Sequence, residues 1–181
     1  MGYFQMTYKE ELIKAMEILG NNEKTIFLGQ SVEYTGSVIY GTLIKVPDRK
    51  KIELPIIEDT QMGMSSGLSL EGFIPVTIFP RMDFLILAAN QLVNHLDKIQ
   101  EISNNQFNPK VIIRTAIGSK FPIDSGLQHS SDYAEALKIL LKNINVVKLT
   151  KSEDIVPEYK KALESDRSTI LIEVSDFYDD E

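Results

Sequence analysis

The sequence predicts an α/β protein of three layers, a doubly wound and mostly parallel sheet with helices on both faces. Three observations predict it. The runs "TIFLG" (25–29), "FIPVTIF" (73–79) and "STILIEV" (168–174) are short and continuously apolar, as strands buried on both faces are. Helical patterns separate these runs, and strands joined through helices return to the same edge of a sheet and lie parallel. A chain of 181 residues with 43% hydrophobic residues can bury one substantial core.

Thr7 to Glu10 read as a capping box, followed by Leu12, Ile13, Met16 and Leu19 at helical spacing and stopped by Gly20 and Asn21. The first strand is 25–29, and the glycine-punctuated stretch 29–42 reads as a loop with a short helix. "KIELP" (51–55) is the second strand and 60–70 a helix, despite Gly63 and Gly67; the third strand is 73–79. Leu85, Leu87, Ala88, Leu92, Leu96 and Ile99 give one wide apolar face to a long helix over 82–102. "KVIIRTAIG" (110–118) is the fourth strand, 119–129 a loop, and Ser130 or Ser131 the cap of a helix beginning "DYAEALKILLKNI". "NVVKL" (145–149) is the fifth strand. The helix 151–165 is entered through Ser152, with Glu153 and Asp154 at its positive end, and 168–174 is the sixth strand.

Composition excludes several classes of function. A net charge of −7 and a pI near 5.0 lack the basic patch that nucleic acid or an anionic membrane requires, leaving small molecules or proteins as partners. No cysteine means no disulfide and no thiolate metal site, and two histidines, His95 and His129, cannot make a histidine-rich one. No apolar run reaches the length of a membrane span, and the chain reads as cytoplasmic. "MGYFQ" before Met6 reads as a tag remnant at 1–5, leaving one domain over 6–178 and an acidic tail at 179–181.

Phosphate-binding and hydrolase signatures are missing: there is no Gly-x-Gly-x-x-Gly, no P-loop and no Gly-x-Ser-x-Gly. "GMSSG" (63–67) lies inside a helix, where small residues let it approach a neighbouring backbone closely. In such sheets ligands sit beyond the carboxyl ends of the strands, which singles out Glu58, the turn Pro80 to Phe84, and the loop ending at His129. Singly, each has a plain reading. Glu58 is a helix N-terminal acid, His129 a loop histidine near a helix start, and Phe84 a core aromatic.

In order along the chain, "MTYKEEL", "IFLGQSV", "LPIIE", "GLSLEGFIPV", "DFLILAANQLVN", "GLQHS" and "STILIEV" resemble the pyrimidine-binding domain of thiamine diphosphate enzymes. The resemblance is in particular to the beta subunit of the first, decarboxylating component of 2-oxo acid dehydrogenases, within the transketolase-like group. Where that family has Pro-Ile-Ser-Glu, this chain has Pro55-Ile56-Ile57-Glu58, and the spacing onward to Gly63, Gly67, Gly72 and Pro75-Val76 matches without a gap.

The resemblance implies a fold, the thiamine diphosphate-binding fold in its pyrimidine module, and roles. Glu58 and His129 are the implied catalytic residues, and Glu58, Phe84 and Ile57 the cofactor-binding ones, with no metal ligand. Glu58 would exchange a proton with the ring nitrogen of the cofactor's aminopyrimidine, Phe84 would stack on that ring, and His129 would face the substrate. The family holds diphosphate and magnesium through Gly-Asp-Gly and Asn ligands in another domain, which this chain lacks. The implied partner is therefore an alpha-type subunit, in a homo-oligomer or heterotetramer acting on a 2-oxo acid or ketose. The family's carboxyl-terminal domain is expected to be absent. Gln30-Ser31 replaces the family's Glu-Asp, Asp59-Thr60 its Met-Gly, and Arg81 an uncharged residue. Those departures motivate an alternative, a non-catalytic assembly or regulatory module that keeps the fold. A third reading is an unrelated doubly wound domain for a nucleotide or metabolite.

Overall fold

The capping box forms: Thr7 Oγ1 accepts from the Glu10 N–H at 3.3 Å and Glu10 Oε2 accepts from the Thr7 N–H at 2.8 Å, opening helix α1 (Tyr8–Asn21). In this computed structural model, residues 6–120 and 124–178 are described. The expected tag remnant and acidic tail lie outside them.

Six strands make one sheet: β1 (Thr25–Gly29), β2 (Lys51–Glu53), β3 (Ile74–Phe79), β4 (Ile112–Ile117), β5 (Asn145–Lys148) and β6 (Thr169–Val174). Their order is β2-β1-β3-β4-β6-β5, and every pairing is parallel. β2 ends before Leu54-Pro55 because proline has no N–H to give to a ladder.

Two apolar clusters lie on opposite faces of the sheet, giving the three layers predicted. On one face α1, the short helix α2 (Val38–Thr42) and α7 (Ser152–Glu164) pack over Phe27, Val76, Ile112 and Leu171. On the other, α3 (Glu58–Leu70), the segment 82–96 and α6 (Ala134–Leu140) cover Phe79, Ile113 and Ile170.

Several local expectations are corrected. The stretch 82–102 is not one helix: α4 (Met82–Leu85) runs into a 3-10 turn at Ile86–Ala88 and a π-helical stretch at Gln91–Leu96, and α5 (Ile99–Ile102) follows a turn. Its inward residues are Met82, Leu85, Ala88, Leu92 and Leu96, whereas Leu87 is 61% exposed. α6 is capped by neither Ser130 nor Ser131; Asp132 Oδ1 takes the Ala134 N–H at 3.0 Å. α7 is entered through Ser152 as its first residue, as expected, and Lys151 precedes it without a side-chain capping bond. Of the small residues of α3, Ser69 does meet a neighbouring backbone, its hydroxyl donating to the Lys110 carbonyl at 3.0 Å, whereas a Cβ at Gly67 would find nothing within 4 Å and one at Gly63 only the Gln91 side chain at 3.6 Å.

Candidate active site

From the end of β1 the chain moves outward to β2, and from the end of β3, β1's other neighbour, it moves toward β4. The two exits use opposite faces, since α2 belongs to one apolar cluster and α4 to the other. Such a switch point leaves a crevice at the carboxyl ends of the strands. Residues after β1 and β2 meet at that end as Gln30 and Glu58, and residues after β3 and β4 as Arg81 and His129.

Glu58 enters that region as the first residue of α3, where the helix's free N–H groups and dipole favour an anion. It is buried, 5% exposed, and Gln30 Nε2 donates to its Oε1 at 2.9 Å. A neutral amide satisfies one carboxylate oxygen without adding charge. One turn along, Gln61 Nε2 donates to Thr77 Oγ1 and to the Ile78 carbonyl, each at 2.9 Å, locking α3 onto β3. Gly29 makes that contact possible: its φ is +144°, and a Cβ there would overlap the Ile78 carbonyl oxygen and press on the Gln61 amide. Ile57, immediately before Glu58, is 37% exposed, with its carbonyl accepting from the Gln61 N–H at 2.8 Å.

Phe84 and His129 are brought together. Their ring centroids lie 5.6 Å apart with planes at 80°, an edge-to-face contact. Both rings are half-buried, so Phe84 is not the fully enclosed core aromatic of its plain reading. Among the described residues, His129 Nδ1 is shielded from solvent and has no hydrogen-bond partner. Arg81 holds the histidine's loop, its guanidinium donating to the His129 carbonyl and to Ser125 Oγ at 3.3 Å each. At Gly118 a Cβ would collide with the His129 carbonyl, so only glycine lets the loop fold back onto the end of β4. Glu58 is paired with Gln30 rather than with either ring.

Sequence reasoning notes Gln30 and Arg81 only as departures; their roles emerge when residues 28 and 48 positions apart meet. It misses a second cluster, beneath α1 and α7. Arg114 on β4 and Glu173 on β6 are fully buried and paired twice, Nε to Oε1 at 2.7 Å and a terminal nitrogen to Oε2 at 2.9 Å. Arg114 also donates to Thr42 Oγ1 at 2.8 Å, and the hydroxyls of Tyr159 and Tyr178 donate to Glu173. The available signal is a lone charge inside each of two apolar strands, "VIIRTAI" and "STILIEV". Among the described residues no group of three His, Asp or Glu could hold a metal ion, and no helix is long and apolar enough to cross a membrane.

No protein-family model matches the chain. It is 28% identical over 144 residues to the pyruvate dehydrogenase E1 component subunit beta of Cyanidium caldarium, covering 77% of this chain and 42% of that one. With the mitochondrial subunit of Chaetomium thermophilum it shares 29% identity over 176 residues, 95% of this chain and 45% of the relative. The chain is similar to E1 beta subunits. A solved structure of an inactive β4 tetramer of a split-gene transketolase superposes with a TM-score of 0.71 at 20% identity, covering 95% of this chain and 52% of that one. The fold is therefore transketolase-like. The chain spans less than half the length of these two relatives, 42% and 45%. Two departures from the family pattern lie against Glu58: Gln30 bonds it, and Asp59, next in sequence, accepts from Gln91 at 3.4 Å.

Proposed function

We propose that this chain is the pyrimidine-binding component of a thiamine diphosphate-dependent enzyme acting on a 2-oxo acid or a ketose, as a single domain over residues 6–178. The observation that carries the reading is Glu58, a buried carboxylate at the crevice of a transketolase-like sheet, with one oxygen held by a neutral donor. Further support comes from the half-buried Phe84 ring and the unpartnered Nδ1 of His129 beside it. An aromatic ring bearing a basic nitrogen fits such a set.

Glu58 would hold and exchange a proton at the pyrimidine ring nitrogen, Phe84 would lie against the ring, and Ile57 would add an apolar contact. His129 faces the substrate, anchored through its backbone so that its ring keeps its direction. Thiamine diphosphate, when bound, supplies a thiazolium that accepts electrons as a bond beside a carbonyl breaks. Diphosphate and magnesium fall to an alpha-type subunit, which makes the assembly a heterotetramer or a related oligomer.

The test is reconstitution of the full chain with that subunit, thiamine diphosphate and magnesium, comparing wild type with Glu58→Gln. Turnover in the wild type and its loss in the variant are expected; equal turnover sinks the assignment. A second reading is a non-catalytic assembly or regulatory module, favoured by Gln30-Ser31 and Asp59-Thr60 standing where the family pattern has Glu-Asp and Met-Gly. Calorimetry of the reconstituted complex separates the two, because cofactor binding that requires Glu58 rules out the module.

A further inference from the structure

The turn leaving β1 is held in an uncommon shape by three separate devices. Gly29, at φ +144°, lets the backbone pass against β3 and Gln61. Ser31 has φ +64°, a left-handed conformation that a serine adopts only when its surroundings impose it. Glu53, at the end of β2, imposes it: one oxygen accepts from the Ser31 N–H at 2.7 Å and the other from the Glu33 N–H at 2.8 Å. Between the glycine and the strained serine stands Gln30, whose amide reaches Glu58.

None of these contacts closes the hydrophobic core. Gln30 and Ser31 are half-buried and Glu53 is exposed. Strain retained at a partly solvated turn, and fixed by a carboxylate that spans two backbone donors, serves what the turn presents. What it presents is a donor aimed at Oε1 of a buried acid, and Gln30 is the one side-chain partner of Glu58 among the described residues.

We propose that Gln30 is a positioning residue for Glu58: the Glu53-clamped turn delivers a neutral donor to one carboxylate oxygen and leaves the other for the ring nitrogen of the ligand. The proposal rests on the reading of Glu58 given above. Its chemical content is the choice of amide over acid. An amide donates at every pH, whereas a carboxyl of the same length donates only while protonated, and two carboxyls in contact must share one proton or repel. Gln30 thus makes the orientation of Glu58 independent of pH.

The experiment uses the full chain, alone and reconstituted with its alpha-type subunit, thiamine diphosphate and magnesium. Gln30→Met keeps the length and removes the donor; kcat is expected to fall about tenfold or more at every pH, with KM for the oxo substrate little changed, as for loss of one hydrogen bond to a charged group. Gln30→Glu is expected to approach wild-type kcat on the acid side and to lose it as pH rises and the second carboxyl ionises. A purely structural role for Gln30 moves no pH profile. A readout without turnover accompanies it: the thermal midpoint of Gln30→Glu alone falls further below that of wild type as pH is raised from about 5 to about 8, while the offset of Gln30→Met stays constant. If Gln30→Glu follows wild type at every pH in both readouts, the proposal is overturned. Should Gln30→Glu fail to fold, Gln30→Met decides, and an unchanged kcat overturns it equally. Undiminished turnover in Glu58→Gln defeats the catalytic reading instead, and the midpoint comparison still shows separately whether the amide donates to Glu58.

Discussion

Replacing Glu173 with glutamine keeps the side chain's size and removes its charge, leaving the Arg114 guanidinium in a dry site opposite a neutral group. Arg114 and Glu173 are both 0% exposed, so no water takes over the lost pairing. Burial works against the guanidinium's charge, but the Glu173 carboxylate together with the neighbouring Tyr159 and Tyr178 hydroxyls outweighs it, so the arginine stays charged well above its ordinary range. Breaking a buried pair from one side costs about 3–5 kcal/mol, because an uncompensated charge remains. At roughly 2–4 °C per kcal/mol for a chain of this length, Glu173→Gln should lower Tm by roughly 6–20 °C in a circular-dichroism melt. Tyr159→Phe removes one donor to the same carboxylate and should cost less, about 1.5–3 kcal/mol. The double change Arg114→Met with Glu173→Leu removes both charges and should recover a large part of the loss, short of wild type because Tyr159 and Tyr178 lose their acceptor. A Glu173→Gln midpoint within about 2 °C of wild type refutes the reasoning, since a desolvated guanidinium cannot lose its counter-charge so cheaply.

Burial and then the charge of Glu173 hold the hydroxyls of Tyr8, Tyr159 and Tyr178 above the usual tyrosine range. The unfolded chain releases these protons first, so stability present below about pH 10 is lost as pH climbs through it; urea midpoints at successive pH values measure the slope, and Tyr159→Phe should flatten it. Gly118→Ala forces the His129 carbonyl away from the end of β4 and should lower activity of the reconstituted complex more than it lowers Tm, read by parallel assays of both. Thr7→Ala removes one half of the capping box and should cost about 1 kcal/mol in urea-monitored stability.

The strands were legible because a sheet covered on both faces demands continuous apolar runs, and 25–29 and 168–174 are that. Strand order was not, since nothing in an apolar run says which neighbour it takes; the crossover that sets β6 between β4 and β5 leaves no local trace. The stretch 82–102 reads in sequence as a single helix because apolar residues at 85, 88, 92 and 96 suit an α-helix and a mixed one alike. At the candidate site, Glu58 and His129 were visible as residue types at strand ends. Their partners were not: Gln30 and Arg81 act across turns whose shape depends on Gly29, Ser31 and Gly118, and backbone conformation at such points follows from contacts made elsewhere in the fold.

The π-helical stretch Gln91–Leu96 has a consequence for how this chain tolerates length changes. There the Asp97 N–H reaches back five residues to the Leu92 carbonyl at 3.0 Å, so the turn holds one residue more than an α-helix would. Deleting a residue between 91 and 96 lets the ladder close on the ordinary four-residue step, with the flanking faces keeping their direction. The same deletion inside α3 would swing everything beyond it by about 100° around the axis, carrying Met62 and Ser65 out of the interior. One helical layer thus contains both a place where the chain's numbering can slip and a place where it cannot.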